Sequence, residues 1–488
     1  MEYKQNAQLK NHQRQGKDQF FEIEMEKFLS SCPDYLETRK LDEVRAADYQ
    51  NLDKQKQVYL DFTGSGLYGQ SQISKHMELL QENVFGNPHS SNPTSITATR
   101  LIESTRSAIM KFFNADPNEY VCIFTQNASG ALKLIGESYP FSAYSHYLLT
   151  YDNHNSVNGI REFARGKGAE IHYIPVLLPD LRMDQEELKY QLENVKKEGN
   201  NLFAYPAQSN FSGVQHSLDW IPYAQERAWD VLLDAAAFTP TNQLDLNKYH
   251  PEFVTLSFYK IFGYPTGIGL LLARRDALAK LRRPWFAGGT ITVASVKGDK
   301  YYLHQGAEGF EDGTLNFLNI PAIEIGLDHI SFIGYDMIHK RVMLLTEWLL
   351  KKLDGITHSN EKKLINIYGP LGIENRGGTI AMNFYDPDSH FIDHLRVEER
   401  ANQRGISLRS GCFCNPGDGE MALGLSAEEL TSCFAVKTNI DYQDFRTCLV
   451  EKSTGAVRVS LGLVSNFADI YQMVKLAESL VNLKYSEI

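Results

Sequence analysis

The chain has 488 residues, 43% hydrophobic and 11% aromatic, which is material for more than one buried core. Its 49 Lys and Arg against 60 Asp and Glu leave a formal charge of −11, which argues against non-specific binding to nucleic acid or to anionic membranes. Six cysteines are too sparse for a disulfide scaffold and no apolar run has the length of a membrane span, so a soluble, cytoplasmic chain in a reducing compartment is expected.

Residues 1–55 are polar and charge-rich. Lys4, Lys10, Arg14, Lys17 and Asp18 leave no apolar core for a secretory signal, and the spacing of Phe21, Met25, Phe28 and Leu29 predicts an N-terminal helical arm docked on another part of the molecule. Val58–Phe62 is predicted as a strand, and from there short apolar runs alternate with helical stretches. Strands are predicted at Val121–Thr125, Tyr147–Thr150, Ile171–Val176, Leu202–Tyr205, Val231–Leu233, Phe253–Leu256 and Gly269–Ala273, with helices between several of them. This alternation predicts an α/β domain over residues 56–325, built on a mostly parallel sheet with helices on both faces. Beyond it, a helix over Tyr335–Leu353, strands at Gly378–Phe384, Ile406–Arg409 and Ala456–Leu461, and a last helix from Asn466 predict a smaller α+β domain over 326–488.

Gly64-Ser65-Gly66-Leu67-Tyr68-Gly69 fits a dinucleotide fingerprint, but the chain then enters the loop Phe85–Pro93 instead of a second parallel strand, so the glycines are read as a turn that allows close backbone approach. Asp234 and Lys260 are more informative. Each directly follows an apolar strand, where α/β sheets place ligand contacts. An amine and a carboxylate on adjacent strand ends suit pyridoxal phosphate, the lysine carrying the Schiff base and the carboxylate keeping the pyridine nitrogen protonated. The bland alternative is a structural ion pair.

Other segments add to the first reading. Ala128 and Ser129 open a helix whose backbone N–H groups and Ser129 hydroxyl would hold a phosphate. His154 offers an imidazole to stack on a flat ring, Asn210 an amide, and Thr290 a hydroxyl in a Gly-rich turn. Arg409 sits five residues before Cys414 in a Gly/Pro loop. A guanidinium there suits an amino-acid carboxylate, and an exposed thiol suits a nucleophile. Cys412 and Cys414 lack a second Cys/His pair at zinc spacing, so no metal site is expected.

Taken together, Tyr59–Phe62, Asn87-Pro88-His89-Ser90, Asp152–Ser156, Leu233–Ala236, Ser257–Gly267, Phe310–Thr314 and Arg409–Pro416 resemble the class V aminotransferase family of fold-type-I pyridoxal-phosphate enzymes. Within it the chain looks most like the cysteine desulfurase-like N-terminal domain of molybdenum cofactor sulfurases. The resemblance implies a fold-type-I transferase with a seven-stranded, mostly parallel sheet, working as a homodimer. It implies Lys260 as the Schiff-base lysine, Asp234 as the pyridinium partner and His154 as the stacking imidazole. Ser129 and Ser257 would bind phosphate, helped by Thr290 of the partner subunit. Asn210 and Arg409 would hold the substrate, and Cys414 would take sulfur from L-cysteine as a persulfide with release of alanine. Cys412 is the weaker candidate.

The chain departs from the desulfurase pattern at Tyr259, where many members have His, and at Ala237, where a cofactor contact is missing. Sulfurases carry a further C-terminal domain, so the resemblance implies transfer of sulfur to a separate acceptor protein or cofactor. Cys433 and Cys448, in a segment that matches nothing assignable, are read as packing residues. A pyridoxal-dependent C–S or C–C lyase, or a cofactor-binding protein without activity, are the alternatives.

Overall fold

The computed structural model describes residues 19–488 except 89, 196–197, 436–438, 440 and 450–452. The first 18 residues of the expected arm and His89 of the Asn87–Ser90 motif thus lie outside the described residues.

Seven strands form the central sheet, in the order Tyr120–Thr125, Gly269–Arg274, Phe253–Ser257, Trp229–Asp234, Asn201–Pro206, His146–Thr150, Glu170–Ile174. Gly269–Arg274 alone runs against the other six strands. Residues 258–268 alone separate it from Phe253–Ser257, too short a link for a parallel crossover with a full helix. Side chains alternate between two cores. Val121, Ile123 and Leu232 face one with the helices Ala128–Ser138 and Ile160–Gly166. Cys122, Phe124, Val231 and Leu233 face the other with Pro93–Phe112, Trp220–Gln225 and Pro321–Ile333. Burial on both faces explains why these strands read as continuous apolar runs. The parallel strands all point their C-terminal ends the same way, and that end carries the site described below.

The second sheet is antiparallel: Ile365–Tyr368, Thr379–Tyr385, Ala456–Ser460 and Arg409–Gly411 pair in that order, with Phe391–Ile392 on Thr379–Tyr385. The arm docks on helices of this part. The Phe28 ring stacks 4.7 Å from Phe467 and meets Trp348 edge-on at 6.0 Å. Arg45 pairs with Asp469 at 2.5 Å, and the fully buried Arg341 donates to Thr38 Oγ1 at 2.6 Å and to Asp42 at 2.7 Å. The strand predicted at Val58–Phe62 is shorter, Val58–Tyr59, and pairs in parallel with Ile406–Ser407 of the second part. The expected boundary at residue 325 falls inside the helix Pro321–Ile333. Among the described residues no helix is long and apolar enough to cross a membrane.

One expectation is corrected. Cys433 and Cys448 are not two packing thiols but a disulfide, because the helices Ala427–Ala435 and Tyr442–Cys448 bring their Cα atoms to 5.7 Å, within bonding range.

Candidate active site

A cavity of about 170 Å³ opens at the C-terminal ends of the parallel strands, lined by Ala128, Ser129, His154, Asn210, Asp234, Ser257 and Lys260 among others. Five strands supply them, each residue being the last of its strand or lying in the segment that directly follows, which is why residues spread over 133 positions of sequence meet. Lys260 sits in the one-turn helix Phe258–Phe262 directly after Ser257. Among the described residues its amine has no hydrogen-bond or ion-pair partner. Burial pushes it below the ordinary lysine range, Arg458 and Arg409 act in the same direction, and Asp234 opposes them. Burial likewise lowers His154, against the pull of Asp234.

Two hydroxyls of the lining, Ser129 and Ser257, stand at the start of the helix Ala128–Ser138. Ser257 Oγ accepts from the backbone N–H of Ala128 at 2.8 Å, and Ser129 Oγ lies 2.6 Å from Ser156 Oγ. Asn127 caps the helix Ala128–Ser138 by accepting from Gly130 N. Hydroxyls at a helix N-terminus suit a phosphate. A cavity lined by this cradle, an unpartnered amine, a buried carboxylate and an imidazole fits pyridoxal phosphate. Lys260 would hold it covalently, Asp234 would face its ring nitrogen, and Ser129 and Ser257 would hold its phosphate.

The loop with the two free thiols is pinned to the rim of this cavity. Asn155, next to His154, donates from its backbone to Cys414 O at 2.7 Å, and Asn210 Nδ2 donates to Phe413 O at 2.7 Å. Asn415 Nδ2 donates to Asp152 O and to Asn210 Oδ1 at 2.9 and 3.1 Å. Phe413 and Cys414 both have left-handed backbone, with φ of 56° and 55°. Two consecutive non-glycine residues there are uncommon, and such conformations persist where surrounding contacts impose them. The thiols of Cys412 and Cys414 are both exposed. The helix that follows the loop is anchored by Asp418, whose buried carboxyl accepts from Ser209 Oγ at 2.6 Å; burial and the nearby Asp152 raise it well above the usual carboxylate range.

Arg409 lies outside the cavity lining and is held by Asp61, to which its Nε and Nη2 donate at 3.0 and 2.7 Å. Asp61 also receives Arg458 Nη2 at 2.9 Å, while Arg458 Nη1 donates to Asn210 O at 2.8 Å. Arg458 and Asp61 are the participants that sequence reading missed. The available signal was a lone arginine inside the apolar strand Ala456–Ser460. The Gly64–Gly69 turn serves this same region. A Cβ at Gly64 would lie 2.5 Å from Asp61 Oδ2, and one at Gly66 would lie 2.8 Å from Lys260 O. The close approach expected there is to the chain's own lysine turn. Thr290 is not brought to the cavity of its own chain: its hydroxyl is buried against the backbone of Ala287.

Comparison with known proteins agrees with this geometry. The model of the family described as aminotransferase class V matches residues 58–473. A molybdenum cofactor sulfurase of Solanum lycopersicum is 36% identical over 492 residues, covering 94% of this chain and 60% of that protein, so the chain spans about 60% of the relative's length. A cysteine desulfurase of Thermococcus onnurineus NA1 superposes with a TM-score of 0.74 at 23% identity over 90% of this chain and 98% of that one. A structure of the cystine C–S lyase C-DES in complex with its reaction product, cysteine persulfide, gives 0.64 at 17% identity, over 86% of this chain and 97% of that one. The α/β fold is thus that of fold-type-I pyridoxal-phosphate enzymes, and the chain belongs to the class V aminotransferase family.

Proposed function

We propose that the protein is a pyridoxal-phosphate-dependent cysteine desulfurase that delivers sulfur from L-cysteine through a persulfide on Cys414. One observation carries the reading: an exposed thiol on a loop whose backbone is bonded to Asn155 and Asn210, the rim of the cavity that holds Lys260, Asp234 and His154. The likeness to molybdenum cofactor sulfurases and the shared fold with cysteine desulfurases support it.

When bound, pyridoxal phosphate supplies an electron sink for negative charge at the substrate α-carbon. The residues do the rest. Two guanidinium groups share the single carboxylate of Asp61, leaving an excess positive charge beside Lys260 that suits the substrate carboxylate. Lys260 Nζ, released from the cofactor by the incoming substrate amine and easily neutral, would take the α-proton and return a proton to the carbon skeleton. Cys414 Sγ attacks the substrate sulfur as the thiolate, the C–S bond breaks, and the balance is L-cysteine plus Cys414 thiol giving alanine plus Cys414 persulfide. The terminal sulfur then passes to an acceptor.

The reading includes a homodimer in which Thr290 of the partner subunit completes the phosphate site, for which its hydroxyl would turn away from Ala287, against which it is buried in its own chain. The hairpin Ile291–Ser295 and Lys300–Leu303, just after Thr290, supports it: Val293, Val296 and Tyr302 are exposed on it, as is the nearby Trp285. Exposed apolar side chains of this kind suit burial against a second copy of the chain.

The test incubates cofactor-loaded protein with L-cysteine and a reductant and quantifies alanine, sulfide and pyruvate for wild type, Cys414→Ala and Cys412→Ala. Alanine and sulfide that disappear only in Cys414→Ala are expected. Pyruvate as the carbon product, or activity indifferent to both substitutions, contradicts the persulfide route and makes the protein a lyase.

A further inference from the structure

At the opposite end of the sheet from the cavity, the starts of the edge strand Glu170–Ile174 and of its neighbour His146–Thr150 place two imidazoles and a carboxylate on one face. His146 opens His146–Thr150 and is the register partner of Glu170, the first residue of the edge strand; His172 lies two residues further along that strand. Side chains repeat every second residue along a strand, so all three project to the same side. Glu170 Oε2 stands 3.5 Å from His146 Nδ1 and 3.4 Å from His172 Nε2, and one ligand atom from each of the three residues lies within 4.8 Å of the others. The two imidazole rings are near-parallel, with centroids 5.8 Å apart.

The two carboxylate–imidazole separations match a metal's needs. Zinc binds His nitrogen and carboxylate oxygen at about 2.0–2.1 Å, and the edge of a tetrahedron is about 1.63 bond lengths, so neighbouring ligand atoms should lie about 3.3–3.4 Å apart. A simple ion-pair reading accounts for them less well, since a carboxylate whose side chain is 61% exposed gains little from a neighbouring imidazole. The backbone is fixed on both strands: His146 N donates to Asn201 Oδ1 at 2.9 Å, and Glu170 N to Ser145 O at 3.0 Å. The second grouping of this kind, Asp386, Asp388 and His390, is different, because the Asp386 carboxylate already accepts from the backbone of Asp388, His390 and Tyr485.

We propose that His146, Glu170 and His172 form a binding site for a divalent transition cation of the zinc class, with water in the fourth position. Imidazole nitrogens select zinc, nickel or copper over magnesium and calcium. The ion would tie the edge strand to its neighbour at a point remote from the catalytic cavity.

The test uses tag-free, cofactor-loaded protein, dialysed against a chelator, with its exposed thiols alkylated so that Cys412 and Cys414 cannot bind metal. Zinc is titrated by calorimetry, and copper(II) by quenching of tryptophan emission, since the Trp229 ring lies 6.4 Å from that of His146. Wild type and His390→Ala should bind about one equivalent of zinc. Loss of even an outer-shell partner costs 10- to 100-fold in affinity, so His172→Ala and Glu170→Gln should each bind about 100-fold more weakly or worse, with copper quenching reduced alongside. Circular dichroism confirms that both variants are folded. Absence of saturable zinc binding in wild type, or equal binding in both variants, overturns the proposal.

Discussion

Asp61 has to satisfy two arginines with one carboxylate, and its two partners differ in surroundings. Arg458 is buried, whereas the Arg409 side chain is 50% exposed. Removing the carboxylate strands a buried charge, which costs about 3–5 kcal/mol, while an exposed pair contributes about 0–1 kcal/mol. Asp61→Asn should therefore lower the urea midpoint far more than Arg409→Ala does; equal losses would show that Arg458 is hydrated. Lys260 has a pH signature. Its amine is lowered in the folded chain, so between that value and the unfolded value of about 10.4 the unfolded chain binds more protons, and stability rises with pH. In the cofactor-free protein, Lys260→Met should be stabilising at pH 7, with the gain shrinking towards pH 10. A gain independent of pH would mean that the amine is not desolvated. Lys260, Asp234 and His154 were legible because each follows an apolar strand run. Arg458 was not, because its role depends on Asp61, which is 397 residues away.

At the level of elements, the strands of the central sheet were legible because burial on both faces writes them as apolar runs. The second sheet was partly legible. The exposed hairpin at 291–303 was not, because it has no buried face to impose a pattern. The arm was recognisable as helix from Phe21, Met25, Phe28 and Leu29, but its dock was hidden, since Trp348 and Phe467 are distant in sequence. Phe28 is fully buried between those rings and Tyr35. Phe28→Ala should cost about 3–5 kcal/mol, the usual price of emptying an aromatic site in a core. Chemical denaturation checks this. A loss within about 0.5 kcal/mol would be surface-like and would show that the arm is not integral to the second part.

For the whole molecule, the proposed dimer makes Thr290 act across subunits, and this can be separated from a local role. Lys260→Ala and Thr290→Ala are each expected to impair turnover. In a dimer unfolded and reassembled from equal amounts, half the molecules are mixed, and each mixed dimer carries one site with both lesions and one with neither. About a quarter of wild-type activity should return. If Thr290 acted within its own chain, mixing would restore nothing above the average of the parents.

The central claim is that Cys414 takes the sulfur. It is tested most directly by a single turnover of cofactor-loaded protein with L-cysteine and no reductant, followed by alkylation and peptide mass spectrometry. The peptide carrying Cys414 should gain the mass of one sulfur atom in step with the release of one alanine per site, and Cys412→Ala should behave the same way. Alanine released without added sulfur on Cys414, or sulfur found on Cys412 alone, would contradict the account.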